Sequence, residues 1–403
     1  MTIADGTSQE ADMGGLLRVG MVGYGFMGAV HSHAWRTAHR FFDLQLTPQL
    51  TALAGRNAAG VAEAAERQGW LSAETDWRRL IERDDIDLID ICTPGDMHSE
   101  IAIAALQAGK HVLCEKPLAN SVADAAHMAE VARSAAERGV FAMCGFTYRR
   151  TPAVTLARRF VQEGRLGDIR HVRAQYLQDW LSDPDAPLTW RLDKQKAGSG
   201  ALGDIGAHIV DMAQWVTGAS VTDVSAMMRT FVTERPVAGE RAGLGGTGSS
   251  EGPKGPVTVD DAAVFTARFD TGAIGVFEAT RMALGRKNAL RLEVNGTRGS
   301  VAFDFEEQNV LEFYDGSDAA DAHGFRRIIV TEPVHPYVGN WWPAGHGIGY
   351  EHGFTHQVVD LVSAIAAGEQ PRPSFDDALG VQRVLAAVEA SAAAGSAVET
   401  VLS

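Results

Sequence analysis

"VGMVGYGFMG", Val19 to Gly28, is the stretch on which the reading of the fold turns. An apolar run leads into Gly23-Tyr24-Gly25-Phe26-Met27-Gly28, a GxGxxG spacing in a chain that holds 43 glycines. Alone, that spacing is weak evidence, so its surroundings decide. It follows a predicted strand, "LLRVGMVG" from Leu16, and opens a predicted helix, "MGAVHSHAWRTA". There Gly23 permits a tight turn, Gly25 lets the backbone approach a pyrophosphate, and Gly28 lets helix and strand pack closely. The helix start, with Phe26 and Met27, offers free N–H groups and a positive dipole end to an anion. We therefore expect a dinucleotide.

Outward from this turn, short apolar runs alternate with helical segments. Strands are predicted over 49–55, 86–94, 110–117 and 140–146, and helices over 58–69, 98–109 and 122–139. Continuous apolar strands separated by helices predict a parallel sheet covered on both faces, a doubly wound Rossmann domain over 16–147. The remainder, 148–403, reads as an α+β domain for substrate binding and oligomerisation. Helices are predicted over 152–164 and 202–218, and strands over 169–180, 221–232, 261–270, 273–284, 288–296 and 299–307. Asp270-Thr271-Gly272 and Asn295-Gly296 supply turns, so the sheet is expected to be mostly antiparallel. An Ala-rich helix near 375–395 is expected to pack back on the Rossmann domain. Residues 1–15 read as a flexible tail, and Pro236 to Pro256, dense in Gly, Ser and Pro, as a long flexible loop and candidate lid.

A net charge of −15 argues against nucleic acid as a partner. No run of 18 or more apolar residues is present, so no membrane span is expected. The polar, acidic N-terminus is unlike a secretory signal, and Cys92, Cys114 and Cys144 are widely spaced in apolar runs. Reduced, buried thiols and a cytoplasmic location are the expectation.

The second predicted strand ends in "LAGRN", with no carboxylate for a ribose 2′-hydroxyl. Arg56 there suits a 2′-phosphate, which leans the expected NAD(P) cofactor towards NADP. "CEKP" places Lys116 at the end of the predicted fourth strand, where ligands of parallel sheets bind. "GSGALGDIGAHIVD" places Asp204 and His208 four residues apart, on one helix face. An ammonium, a carboxylate and an imidazole together can bind a hydroxyl and remove its proton. Asp204 and His208 are too few to close a metal site, so no metal is assigned.

Together "VGMVGYGFMG", "ICTPGDMHSEIAIAALQAGKHVLCEKPLA", "YRRTPAV" and "WRLDKQKAGSGALGDIGAHIVD" resemble the glucose-fructose oxidoreductase/inositol dehydrogenase/MocA family, over nearly the whole chain. The resemblance implies a Lys116 that bonds the reacting oxygen, His208 as acid/base, and Asp204 as orienting group. It implies cofactor contacts from Thr93, Pro94, His98 and Glu115, and a Trp190-Arg191 pair beside the site. It also implies a homo-oligomer, dimer or tetramer. Gly95 and Thr147 stand where the family often has Asn. The expected substrate is a cyclic sugar, anhydrosugar or inositol, gripped by such residues as Tyr148, Gln178, Asp179, Trp180 and Arg191. His335, Tyr337, Trp341, Trp342, His346 and Tyr350 read either as a carbohydrate-stacking wall or as an oligomer contact. The rival readings are an enzyme whose tightly bound cofactor couples two half-reactions, and a non-catalytic dinucleotide-binding regulator.

Overall fold

Buried Val, Ile, Leu and Ala runs form the strands of the first half, and amphipathic segments form helices that cover them. The computed structural model describes residues 15–237 and 253–402. Its first half runs β1 (Leu16–Val22), α1 (Phe26–Phe41), β2 (Thr47–Ala54), α2 (Ala58–Gln68), β3 (Ser72–Glu74), α3 (Trp77–Glu82), β4 (Leu88–Ile91), α4 (His98–Gln107), β5 (His111–Cys114), α5 (Val122–Ala136) and β6 (Ala142–Cys144). All strand pairs are parallel, in the order β3-β2-β1-β4-β5-β6. This is a doubly wound sheet with one strand more than the sequence predicts. β3 has three residues, too few to show a period, so Lys116 follows the fifth strand rather than the fourth.

The second half begins with α6 (Pro152–Gln162), β7 (Ile169–Leu177) and the single turn α7 (Lys194–Ala197). A π turn at Leu202–Gly206 then leads into α8 (Ala207–Thr217). The strands β8 (Val221–Arg229), β9 (Glu234–Pro236), β10 (Lys254–Pro256), β11 (Ala262–Phe269), β12 (Ile274–Thr280), β13 (Ala289–Gly296), β14 (Gly299–Asp304), β15 (Val310–Asp315) and β16 (Arg326–Ile329) follow. Last come α9 (Tyr350–Ala367), α10 (Phe375–Ala393) and β17 (Glu399–Thr400).

Nine of these strands form one sheet, β16-β15-β14-β13-β7-β12-β11-β8-β17, antiparallel except where β12 meets β7. Its strands alternate. Along β11, Ala263, Phe265, Ala267 and Phe269 point inward while Val264, Thr266 and Arg268 point out. The inner face packs against α6, α8 and α10.

Two late helices return to the parallel sheet. α10 begins on a Ser374–Asp377 capping box and packs on both α5 and β8. α9 lays Phe354, Val358, Leu361 and Val362 against α1 and β1. The sequence reading passed over α9, although Phe354, Val358, Leu361 and Ile365 already repeat at helical spacing. It also passed over β15 and β16. The tail to residue 14 and most of the proposed loop, 238–252, lie outside the described residues. The ends of that loop pair as β9 and β10.

Candidate active site

At the carboxyl ends of the parallel strands lies a cavity of about 1000 Å³, lined from both halves of the chain. One end is built from the glycine turn. Gly23 has φ +102°, and a Cβ there would lie 2.6 Å from the Cys92 carbonyl oxygen. A Cβ on Gly28 would lie 2.2 Å from the Gly23 carbonyl oxygen, so Gly28 serves the packing behind the turn and does not line the cavity. Gly25 faces open space. α2, α3, α5 and α10 begin on side-chain caps, whereas α1 begins at Gly25 with none. Its first N–H groups are left for an anion. Across from them the Thr93 hydroxyl is buried without a partner. His98 joins Thr93 to the Lys116 turn, its ring nitrogens 3.0 Å from the Thr93 carbonyl and 2.9 Å from the Pro117 carbonyl. Lys116–Pro117 is a cis peptide. Pro94, Glu115 and Arg56 line the same cavity, Arg56 as an exposed cation at its far end.

The chemical end converges on Asp204. The Lys116 ammonium donates to the Asp204 carbonyl at 2.8 Å and lies 3.4 Å from its carboxylate. The fully buried Arg281 is 3.5 Å from the other carboxylate oxygen. Burial opposes charge on Asp204, but Lys116, Arg281 and Arg191 outweigh it and hold the carboxyl far below the usual range. The Asp204 backbone is fixed in turn by Asp260, which accepts from Gly200 N at 2.6 Å and Leu202 N at 2.8 Å. Gly200 is required there, since a Cβ would lie 1.8 Å from the Asp260 carbonyl oxygen. The predicted plain helix is corrected at this point. Its first turn is a π turn, closed from Ala207 N to Leu202 O, a local device common at functional sites.

His208 sits one turn on, only 8% exposed, with Nδ1 unpartnered. Burial, then the Lys116 charge, pushes its pKa well below the usual value, so the imidazole is neutral at pH 7. The Tyr148 ring stands edge-on to it at 4.8 Å. Tyr148 and Tyr176 share a hydroxyl hydrogen bond of 2.6 Å, and Asn288 Oδ1 accepts from Tyr176 at 2.6 Å and from Gln178 at 2.9 Å. The Trp180 indole donates to Gln178 at 3.0 Å. Trp190 and Arg191 close this side, the guanidinium 4.5 Å from the indole centroid. Buried Arg235 secures their loop by donating to the carbonyls of Leu181 and Asp183, both at 2.6 Å.

The cavity thus gathers the predicted catalytic residues and, apart from Gly28, the predicted cofactor residues. Asp179 is a correction, because it binds Lys287 at 2.6 Å and Gly285 N at 3.2 Å outside the cavity. The aromatic segment is another. Trp341 packs on Phe41 of α1 and on Phe42 just after it, and donates to His356 at 2.8 Å, and Tyr337 stacks on His356 at 4.3 Å. That segment straps α9 to α1. Of the six residues, Tyr350 alone lines the cavity. Reasoning from the sequence missed Tyr176, Arg281 and Asn288. Tyr176 was within reach, being two residues from Gln178 on one strand face. Arg281 and Asn288 carried no local signal.

Behind Lys116, touching the cavity at Glu115, lies a second cluster. His31 is held between Asp90 at 2.9 Å and Glu115 at 3.1 Å, and Trp35 donates to Asp90 at 2.7 Å. Burial opposes charge on His31, but Asp90 dominates and raises its pKa well above the usual value. Among the described residues, His31, Asp90 and Cys92 bring metal-type donor atoms within 4.8 Å of one another. Each of these donors is already engaged with a protein partner.

The sequence matches the oxidoreductase family with an NAD-binding Rossmann fold over residues 17–145, and the GFO/IDH/MocA C-terminal domain over 154–302. The chain belongs to the GFO/IDH/MocA oxidoreductase family. Within that family it is 43% identical to levoglucosan dehydrogenase of Pseudarthrobacter phenanthrenivorans, over 95% of this chain and 98% of the relative. A solved oxidoreductase domain protein from Kribbella flavida superposes with TM-score 0.92 at 62% identity, covering 97% of this chain and 100% of that one. Levoglucosan dehydrogenase in complex with NADH and levoglucosan superposes with TM-score 0.90 at 41% identity, covering 96% and 100%. The glycine turn and the Lys116 strand end both lie within the stretch that matches the NAD-binding domain. No helix among the described residues is long and apolar enough to cross a membrane.

Proposed function

We propose that this chain is an NAD-dependent dehydrogenase acting on a secondary hydroxyl of a cyclic sugar, with anhydrosugars of the levoglucosan type as the first candidates. One observation carries the reading: Lys116, Asp204 and His208 converge beside a cavity whose other end is an uncapped glycine turn. That turn and the unpartnered Thr93 hydroxyl fit a dinucleotide. Phe26, Met27, Pro94 and His98 flank the same path. When bound, the dinucleotide supplies the hydride acceptor or donor.

The chain supplies the rest. Neutral His208 takes the hydroxyl proton, a role its unpartnered, desolvated ring suits. The Lys116 ammonium donates to the oxygen as negative charge develops on it. Asp204, held anionic, holds the Lys116 ammonium in place. Gln178, Tyr148 and Arg191 offer donors and acceptors to the remaining ring hydroxyls, and Trp180 and Trp190 offer apolar faces. NAD is the cofactor that the family supports. Arg56, with no carboxylate beside it, lets NADP enter as well.

A second copy of the chain is proposed to cover the outer face of the large sheet, where Met227, Val264, Ile274 and Val276 are exposed. Three unpaired thiols fit a cytoplasmic location.

The test is reduced-nicotinamide fluorescence with NAD or NADP across inositols, aldoses and anhydrosugars, with Lys116→Met as control. Turnover of one sugar class, lost in the variant, supports the reading. Dinucleotide binding without turnover of any sugar overturns the substrate class and favours a regulator.

A further inference from the structure

The missing carboxylate after β2 has a steric cause. Dinucleotide-binding sheets of this kind place an Asp or Glu there to accept from the adenosine ribose. Here the position is Gly55, and a Cβ on it would lie 2.1 Å from Cε1 and 2.5 Å from Cδ1 of Tyr24. These are ring atoms, not the end of a flexible chain. The ring is also hemmed in on its far side. A Cβ on Gly60 would lie 2.9 Å from the Tyr24 hydroxyl and 3.5 Å from Cε2. Two glycines, one at the end of β2 and one in the first turn of α2, therefore make a slot for one tyrosine. Any side chain at 55 evicts it.

Tyr24 is the first variable residue of the glycine turn, half-buried, and lines the cavity with Gly55, Arg56 and Asn57. Around them Ala54, Thr75 and Trp77 complete that end of the cavity, and none of these residues is acidic. Glu74, nearby in sequence, is turned to Arg83 at 3.5 Å. Among the described residues, the full charge that this end presents is the Arg56 cation.

We propose that Tyr24 takes over the reading of the adenosine ribose from the strand-end carboxylate, and that the Tyr24–Gly55–Gly60 slot sets the cofactor selectivity of this enzyme. The inference rests on the dinucleotide reading of the cavity. A phenol hydroxyl can both donate and accept, so it pairs with a ribose 2′-hydroxyl and donates equally to a 2′-phosphate. A carboxylate only accepts, and repels the phosphate. A neutral reader beside Arg56 thus discriminates weakly between NAD and NADP. The carboxylate cannot be restored alone, because it needs the volume of the ring.

The test is direct titration of purified protein with NADH and with NADPH, followed by ligand fluorescence, together with thermal melting without ligand. Wild type is expected to bind both within about ten-fold of each other. Tyr24→Phe removes the hydroxyl and keeps the ring. It should weaken NADH about three- to ten-fold with the melting temperature unchanged. Gly55→Asp should lower the melting temperature and weaken both ligands. The double variant Tyr24→Gly/Gly55→Asp should recover melting and NADH binding, and should reject NADPH by about a hundred-fold or more.

Tyr24→Phe binding both ligands like wild type overturns the inference, as does Gly55→Asp melting and binding NADH like wild type. Wild type that binds neither dinucleotide overturns the function proposed above, and this inference with it.

Discussion

Two clusters of the same chemistry lie on either side of the Lys116 turn. In the inner one, His31, Asp90, Glu115 and Trp35 satisfy one another, and all are buried. In the outer one, the Asp204 carboxylate lies 3.4 Å from Lys116 and 3.5 Å from Arg281, with His208 one turn on. His208 Nδ1 and Arg281 Nη1 find no hydrogen-bond partner there. Burial alone does not separate the two, and neither does residue type. What separates them is completeness. A closed network of buried charges holds a fold in one arrangement, whereas unpartnered polar atoms aimed into a cavity are held ready for a ligand. The two histidines also differ in protonation. Asp90 overcomes burial and keeps His31 protonated, while burial, then the Lys116 ammonium, keeps His208 neutral.

This contrast can be broken by mutation. The largest effect is expected in the closed cluster. His31→Leu leaves Asp90 and Glu115 as buried, uncompensated charges, at a stability cost of about 3–5 kcal/mol. Thermal melting measures it, and an unchanged melting temperature would show that the cluster is not the structural anchor described here. Next, Lys116→Met should lower kcat about 10³-fold, roughly 4 kcal/mol in barrier, with dinucleotide affinity nearly unaltered. Steady-state kinetics beside a binding titration distinguishes this from loss of cofactor.

His208→Asn should lower kcat about 10²-fold and shift melting by less than His31→Leu does, because no protein partner is orphaned. If the two histidine variants lose equal stability, completeness is not the distinction.

The smallest effect concerns pH. His356 donates from Nδ1 to the Arg150 carbonyl at 3.0 Å and accepts from Trp341, and burial lowers its pKa to about 3. The unfolded chain takes up a proton near pH 6.5, which the folded ring refuses until about pH 3. Stability is therefore lost as pH falls through that window, by about 1.4 kcal/mol per unit for such a group. Melting temperatures of wild type and His356→Gln between pH 6.5 and 5 should show a shallower slope in the variant.

Much of the site was legible because its signals are local. The glycine turn, the strand-end Lys116 and the four-residue spacing of Asp204 and His208 each depend on a few neighbouring residues. Arg281 and Asn288 reach the cavity only because β12 and β13 flank β7 in the folded sheet, and no short window carries that fact. The aromatic run from His335 to Tyr350 misled for the converse reason. Its composition suits a sugar, but packing turns Tyr337 and Trp341 onto α1 and α9.

By itself, then, the sequence determined the doubly wound parallel sheet, its glycine turn and the three groups, Lys116, Asp204 and His208, that converge beside the cavity. Periodicity and glycine geometry act over a turn or a strand, and so can be read in order along the chain. Only the tertiary structure decided which buried histidine is charged and why position 55 has no carboxylate. It also decided which polar atoms remain unpaired. Each depends on atoms brought together from distant parts of the chain, where desolvation and contact distance set protonation and fit.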